Sequence, residues 1–145
     1  MKRITILALL VALFTMGIQA RGKQPIAFKN LPKEVKKEVQ KNFTEDQIRF
    51  ITSQRTMPRH YVYEFLLADD TKFKYDHKAR LKEIKNKKGI LEAMLPQDVI
   101  KYVKATCPNA IITKYEVENL SQKVELDDDM EMIFSKKGKF IRIDD

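Results

Sequence analysis

The chain has 145 residues, 43% of them hydrophobic and 33% charged, with a formal net charge of +8. That length holds one ordinary domain or two very small ones, and the apolar content is too high for a disordered chain. A single cysteine, Cys107, excludes an intramolecular disulfide.

Lys2 and Arg3 open the chain as a short positive segment. Ile4 to Ile18 follows, apolar except for Thr5, Thr15 and Gly17, and Gln19-Ala20 offers a small residue before Arg21. This is the pattern of a secretory signal peptide, and the apolar run is shorter than the roughly 20 residues of a spanning helix. The sequence therefore predicts a cleaved signal over residues 1–20, a periplasmic or secreted product, and a mature net charge of +6. No cysteine lies near the cut, so lipid attachment is not expected there. Residues 21–30 read as an N-terminal extension.

At residue 31 a unit begins that occurs twice. Leu31-Pro32-Lys33-Glu34-Val35 matches Leu95-Pro96-Gln97-Asp98-Val99. Leu31, Val35, Val39 and Phe43 recur as Leu95, Val99, Val103 and Cys107. Each set lays an apolar stripe along one side of a helix. Proline suits the helix start, and Glu34 or Asp98 follows where the helix dipole favours negative charge. Pro108 ends the second helix, and Asn42 to Asp46 ends the first.

After each helix the chain predicts four short strands. In the first copy they are about Ile48–Ser53, His60–Leu67, Thr71–Asp76 and Arg80–Ile84. In the second they are about Ile111–Glu118, Gln122–Leu126, Met130–Ser135 and Lys139–Ile143. Alternation and β-branched or aromatic content support these assignments. Asp69-Asp70, Asp127-Asp128-Asp129 and Lys137-Gly138 mark tight turns, which make neighbouring strands antiparallel. The offset between copies is 64 residues in the helices and 59 in the later strands, and the difference is expected as a longer hairpin loop over Gln54 to Arg59.

The predicted fold class is α+β: a tandem repeat of one helix plus a four-stranded antiparallel sheet. The first repeat spans residues 31–88 and the second 95–145, with residues 89–94 between them and Gly89 as the most flexible point. Phe65, Leu67, Phe73, Tyr75 and Leu81 correspond to Val124, Leu126, Met132, Phe134 and Phe140 and make the helix-facing core. Glu64, Leu66, Lys72 and Lys74, with Lys123, Glu125, Glu131 and Ile133, face outward.

The order of a Leu-Pro-x-x-Val helix and strands leading through Phe73 to Leu81, or Met132 to Phe140, resembles the PepSY-like periplasmic proteins. These share the tandem fold of beta-lactamase inhibitor protein. The resemblance covers about residues 28–145 and rests on structural motifs, the Leu-Pro start and the Gly turn before the last strand. Ala79 stands where the second copy has Gly138, a departure that concerns the turn and not the fold. The resemblance implies a periplasmic or secreted location and a role in binding or inhibiting other proteins, with no catalytic residues to carry over.

The residues themselves give no enzyme motif. No Ser elbow, phosphate-cradling Gly loop or paired carboxylates occur, and no cofactor is expected. His60 and His77 read as two separate exposed loop histidines, with no further ligand at metal-binding spacing. Asp127-Asp128-Asp129 lacks the spacing of a calcium loop and reads as a hairpin turn. Cys107 repeats the position of Phe43 and reads as a small core hydrophobe.

The basic stretch Thr71 to Lys88 has a net charge of +6, whereas Leu95 to Asp145 has −2. Such a patch attracts an acidic partner, and its bland alternative is a lysine-protected sheet edge. The first expectation is a non-enzymatic binding or inhibitory module that docks a protein with an acidic face on the outward sheet. Its candidate contacts are His60, Val62, Glu64, Leu66, Lys72, Lys74, Arg80 and Lys82. Anionic lipid head groups are a further candidate, and nucleic acid is not expected. The alternative is an envelope sensor that takes a small ligand or ion in the groove between the repeats.

Overall fold

A computed structural model describes residues 22–144. The predicted signal segment, residues 1–20, lies outside the described residues. Two helices, α1 (Lys33–Gln40) and α2 (Gln97–Thr106), are each entered in the same way. A 3-10 turn (Phe28–Asn30 or Glu92–Met94) runs into Leu31 or Leu95, which is extended at ψ 151° or 155°. The following proline enforces that conformation, because its ring disfavours the helical region for its predecessor. Pro32 and Pro96 then stand just before their helices rather than in the first turn, with φ of −54° and −59°. Their carbonyls accept the first helical hydrogen bonds, from Lys36 N at 3.0 Å and Ile100 N at 3.2 Å.

The strands are β1 (Gln24–Pro25), β2 (Ile48–Met57), β3 (His60–Leu67), β4 (Lys72–Asp76), β5 (Leu81–Lys85), β6 (Ile112–Val117), β7 (Ser121–Leu126), β8 (Glu131–Ser135) and β9 (Phe140–Asp144). They form one nine-stranded antiparallel sheet whose order in space follows the order in sequence. The sheet is continuous across the two copies because β5 pairs with β6, through Glu83↔Glu116, Ile84↔Tyr115 and Lys85↔Lys114. The N-terminal segment adds β1 against β2, and Phe28 is buried.

The expected long loop over Gln54 to Arg59 is not a loop. β2 runs on to Met57, and a two-residue turn at Pro58-Arg59, with Arg59 at φ 62°, returns the chain into β3. The additional residues therefore lengthen a two-stranded ribbon whose far part is solvated. Residues 86–94 are held by backbone hydrogen bonds from Asn86 N to Thr113 O (2.9 Å) and Ile90 N to Ile112 O (3.0 Å). Gly89 serves there as a turn residue at φ 113°, where a Cβ would come within 3.0 Å of Ile111.

Both helices pack on the same side of the sheet core. Val35 and Val39 of α1 and Val99 and Val103 of α2 are almost fully buried, as are Phe65, Phe73, Val124, Met132 and Phe134. Burying one such side chain contributes roughly 1.5–3 kcal/mol. Phe65 stacks on Phe73 at 4.7 Å, and Phe43 stacks on Phe73 at 5.1 Å. Leu81 and Phe140 are only partly buried and pack at the margin of this cluster, as does Cys107. Ile133 is buried although its parity places it outward, between Lys123 and Arg142 in its cross-strand row. No helix among the described residues is long and apolar enough to cross a membrane.

Candidate functional site: the outer face of the sheet

With the helices on one side, the other side of the sheet is open, and strand pairing sorts its residues into rows. One row reads Phe50, Leu66, Lys72, Lys85, Lys114, Glu125, Glu131 and Asp144, from β2 to β9. It runs from apolar to basic to acidic. The adjacent row reads Thr52, Glu64, Lys74, Glu83, Glu116, Lys123, Ile133 and Arg142, and there the charges are mixed.

Ion pairs tie the two rows together. Lys74 Nζ lies 3.3 Å from Glu83 Oε2 and 3.7 Å from Glu64 Oε2, and Lys23 Nζ reaches Glu64 Oε2 at 2.9 Å. Lys85 Nζ is 3.4 Å from Glu83 Oε1, Lys114 Nζ is 2.7 Å from Glu116 Oε2, and Lys123 Nζ is 3.4 Å from Glu131 Oε1. Burial works against ionisation of Glu83, but Lys74 and Lys85 outweigh it and hold its carboxyl below the ordinary Glu range. Glu64 is held low in the same way by Lys23 and Lys74. The hydrogen bond to Glu116 raises Lys114 above the usual lysine value. Glu64, Glu83 and Lys114 are thus held in their charged forms.

The family described as "Putative beta-lactamase-inhibitor-like, PepSY-like" matches residues 18–83 and again residues 61–142. The chain belongs to this PepSY-like family. No curated protein matches it in sequence. A solved structure from Bacteroides thetaiotaomicron, of a protein for which calcium regulation and a periplasmic location have been proposed, superposes with a TM-score of 0.75 at 22% identity, covering 85% of this chain and 97% of its own. A Bacteroides vulgatus protein of the DUF2874 family, also proposed to be periplasmic, gives 0.76 at 22% identity and covers 89% of this chain and 100% of its own. These likenesses establish the fold.

The eight candidate contacts do not form one cluster in the PepSY-like chain. Val62, Glu64, Leu66, Lys72 and Lys74 share the outer face, as their parity predicts. Arg80 is tied to Asp76, its Nη2 2.7 Å from Oδ2. Lys82 sits at an irregularity in the β4–β5 pairing and, with Arg80, lines a separate depression of about 530 Å³ that also includes Leu81 and Tyr115. His60 stands at the tip of the long ribbon, next to the Pro58-Arg59 turn, partly exposed.

His60 and His77 are not two independent loop histidines: their rings stack with centroids 4.4 Å apart. The ribbon return at Pro58-Arg59 brings His60 beside the end of β4. Among the described residues, no group of three or more His, Cys, Asp or Glu is arranged to hold a metal ion. In the acidic run, Asp127 Oδ1 accepts from Ile111 N at 3.0 Å and Asp128 Oδ1 from Met130 N at 3.2 Å, with Asp129 at φ 67°. These carboxylates build a turn.

Sequence patterning missed Phe50, Lys85 and Lys114 as members of the outer row. Phe50 is 51% exposed and lies beside Leu66. The three lysines Lys72, Lys85 and Lys114 are directly opposite one another on adjacent strands. An open groove of about 650 Å³ lies over them, flanked by Lys87 and Lys88 of the connecting turn and by Asp69.

Proposed function

We propose that the chain is an exported, non-enzymatic periplasmic module, built of two helix-plus-four-strand units, that docks a protein partner on the outer face of its sheet. The apolar residues 4–18, preceded by Lys2 and Arg3, and the periplasmic description of similar folds support the location. The single observation that carries the docking is the polarised row from Phe50 through Lys114 to Asp144. Phe50 and Leu66 supply an apolar anchor beside a basic strip, which matches a partner with an apolar spot bordered by acidic groups. Nine strands at about 4.8 Å spacing give a face roughly 40 Å wide, enough for the ~800 Å² per partner of a standard interface. The mechanism is occlusion: the rigid sheet covers a target surface by shape and charge.

The test uses immobilised protein and envelope extract at low and high salt, with the Phe50→Asp/Leu66→Asp variant beside the wild type. The reading expects one partner captured in a salt-sensitive manner and released by the double substitution, with thermal unfolding unchanged. Capture that ignores both the substitution and the salt would remove the outer face as the docking surface.

A further inference from the structure

Like charges directly opposite on neighbouring strands destabilise a sheet. In the row through Glu64 and Lys74, each lysine has an acid directly opposite, although Glu83 and Glu116 face each other. The other row segregates its charges: Lys72, Lys85 and Lys114 hold three consecutive positions at the seam where β5 meets β6, and Glu125, Glu131 and Asp144 follow at the acidic end. Lys85 and Lys114 have acidic neighbours, Glu83 and Glu116, along their own strands. Lys72 is exposed and takes part in no ion pair among the described residues, and the same holds for Lys87 and Lys88.

The turn that carries Lys87 and Lys88 is fixed against this row. Asn86 Nδ2 donates to Thr71 Oγ1 at 2.8 Å, and Asn86 Oδ1 accepts from Lys88 N at 2.9 Å. Gly89 N donates to Asn86 O at 3.0 Å. Five lysines therefore border one open groove of about 650 Å³, held by two strand pairings and a hydrogen-bonded turn. The acids of the groove are partly committed elsewhere: Asp70 pairs with Arg49 at 3.3 Å, and Asp69 Oδ1 accepts from Thr71 N at 3.0 Å. Glu125 closes the far end of the groove, opposite Lys114.

We propose that this seam groove binds a small, multiply charged anion of the phosphate class, with Lys72, Lys85 and Lys114 as the central contacts and Lys87 and Lys88 as the rim. Three ammonium groups on adjacent strands, about 5 Å apart at the backbone, suit a ligand that carries several anionic groups in a line. Charge-assisted contacts of this kind are the strong ones, and lysine acts in them as a point charge with flexible reach. The site goes beyond protein docking: both readings use the basic strip, but only docking needs the Phe50–Leu66 anchor, so Phe50→Asp/Leu66→Asp separates them. The two can fail separately.

The test is titration calorimetry of the whole protein with inorganic tripolyphosphate, at low and moderate salt. A parallel arm measures co-sedimentation with phosphatidylcholine vesicles that carry a phosphate-monoester lipid. Saturable one-to-one binding is expected, weakened roughly tenfold or more in Lys72→Gln/Lys85→Gln/Lys114→Gln. The control Lys33→Gln/Lys37→Gln/Lys101→Gln removes the same charge from the helix side and is expected to bind as the wild type does. Lys72→Gln/Lys88→Gln, which breaks no ion pair, repeats the test if the triple variant unfolds. Binding in the calorimeter alone points to a free anion, and added vesicle binding that the same substitutions abolish points to a headgroup. Equal weakening by the control, or no saturable binding in either arm, overturns the proposal.

Discussion

The two halves of the chain build the turn before their last strand from different chemistry. In the first half, Asp76 occupies the place that Ser135 takes in the second, and Ala79 the place of Gly138. Both turn residues have positive φ, 58° at Ala79 and 81° at Gly138. Asp76 ties its turn from within: Oδ1 accepts from Lys78 N at 2.9 Å and Arg80 N at 3.0 Å, and Oδ2 from Arg80 Nε at 2.7 Å. The second half keeps one internal bond, Ser135 Oγ accepting from Lys139 N at 3.1 Å, and adds a tie from outside, where Gln122 Nε2 donates to Ser135 O at 2.9 Å and Lys136 O at 3.0 Å. Gln122 Oε1 in turn accepts from Tyr115 Oη at 2.6 Å. The same fold position thus tolerates an unfavourable residue where a carboxylate binds the backbone N–H groups. It uses glycine where a hydroxyl accepts only one such bond and the added support reaches the carbonyls.

Removing the internal tie should have the largest effect. Asp76 is 8% exposed, and Asp76→Ala leaves two backbone donors and an alanine at positive φ unsupported. The expected loss is about 2–4 kcal/mol, read by chemical denaturation. Ser135→Ala loses only the 3.1 Å bond from Lys139 N and should cost about 0.5–1 kcal/mol. The contrast also has a pH signature. Burial would raise the Asp76 carboxyl, but Arg80 and the two backbone donors outweigh it and hold it below the ordinary 3.8. A carboxyl depressed in the folded state stabilises above its unfolded value, and that contribution is lost as pH falls through the folded value. The gap between wild type and Asp76→Ala should therefore be full near neutral pH and shrink below pH 3.8. A gap that stays constant down to the acid limit would mean that packing, not the carboxylate, holds the turn.

Next in size is the external tie. Gln122 is 5% exposed, and Gln122→Leu strips Tyr115 Oη and Lys136 O of this partner and leaves Ser135 O with Gly138 N alone. We expect about 1–3 kcal/mol, with hydrogen exchange rising first in β8 and β9. Uniform acceleration across both halves would show that the sheet opens as one unit, and the two turns would then not be locally independent.

Much of this architecture was readable in the chain because its determinants are local. Leu-Pro followed by apolar residues every fourth position places both helices, and Phe65 to Tyr75 and Val124 to Phe134 alternate cleanly because one face is buried. The ribbon beyond Ser53 was not readable. Its residues are largely exposed on both faces, so no burial alternation marks them, and Pro58 and the charged Arg55 and Arg59 imitate a loop. Misreading that ribbon also separated His60 from His77. The lysine row was hidden for another reason: it depends on the β5–β6 register, which no local signal specifies. Of the eight candidate contacts, six were set by strand parity; Val62, Glu64, Leu66, Lys72 and Lys74 share one face, and His60 lies beyond them at the ribbon tip, stacked on His77. Arg80 and Lys82, chosen for charge alone, lie apart from it because Asp76 and the β4–β5 irregularity redirect them.

The exchange of the two turn residues has a small expected effect, and it tests the comparison most directly. A residue with a Cβ at positive φ is strained by about 1 kcal/mol relative to glycine. Ala79→Gly relieves that strain but removes a methyl group that packs against the core, so the net gain should be about 0.5 kcal/mol or less. Gly138→Ala adds the strain, and its new Cβ would sit 3.4 Å from Asp98 Cβ, against the start of α2. That variant should lose about 1 kcal/mol, and the sign difference is measurable as opposite shifts in melting temperature. If both substitutions destabilised equally, the alanine of the first half would be held by its packing. The carboxylate of Asp76 would then be a consequence of the turn and not its cause.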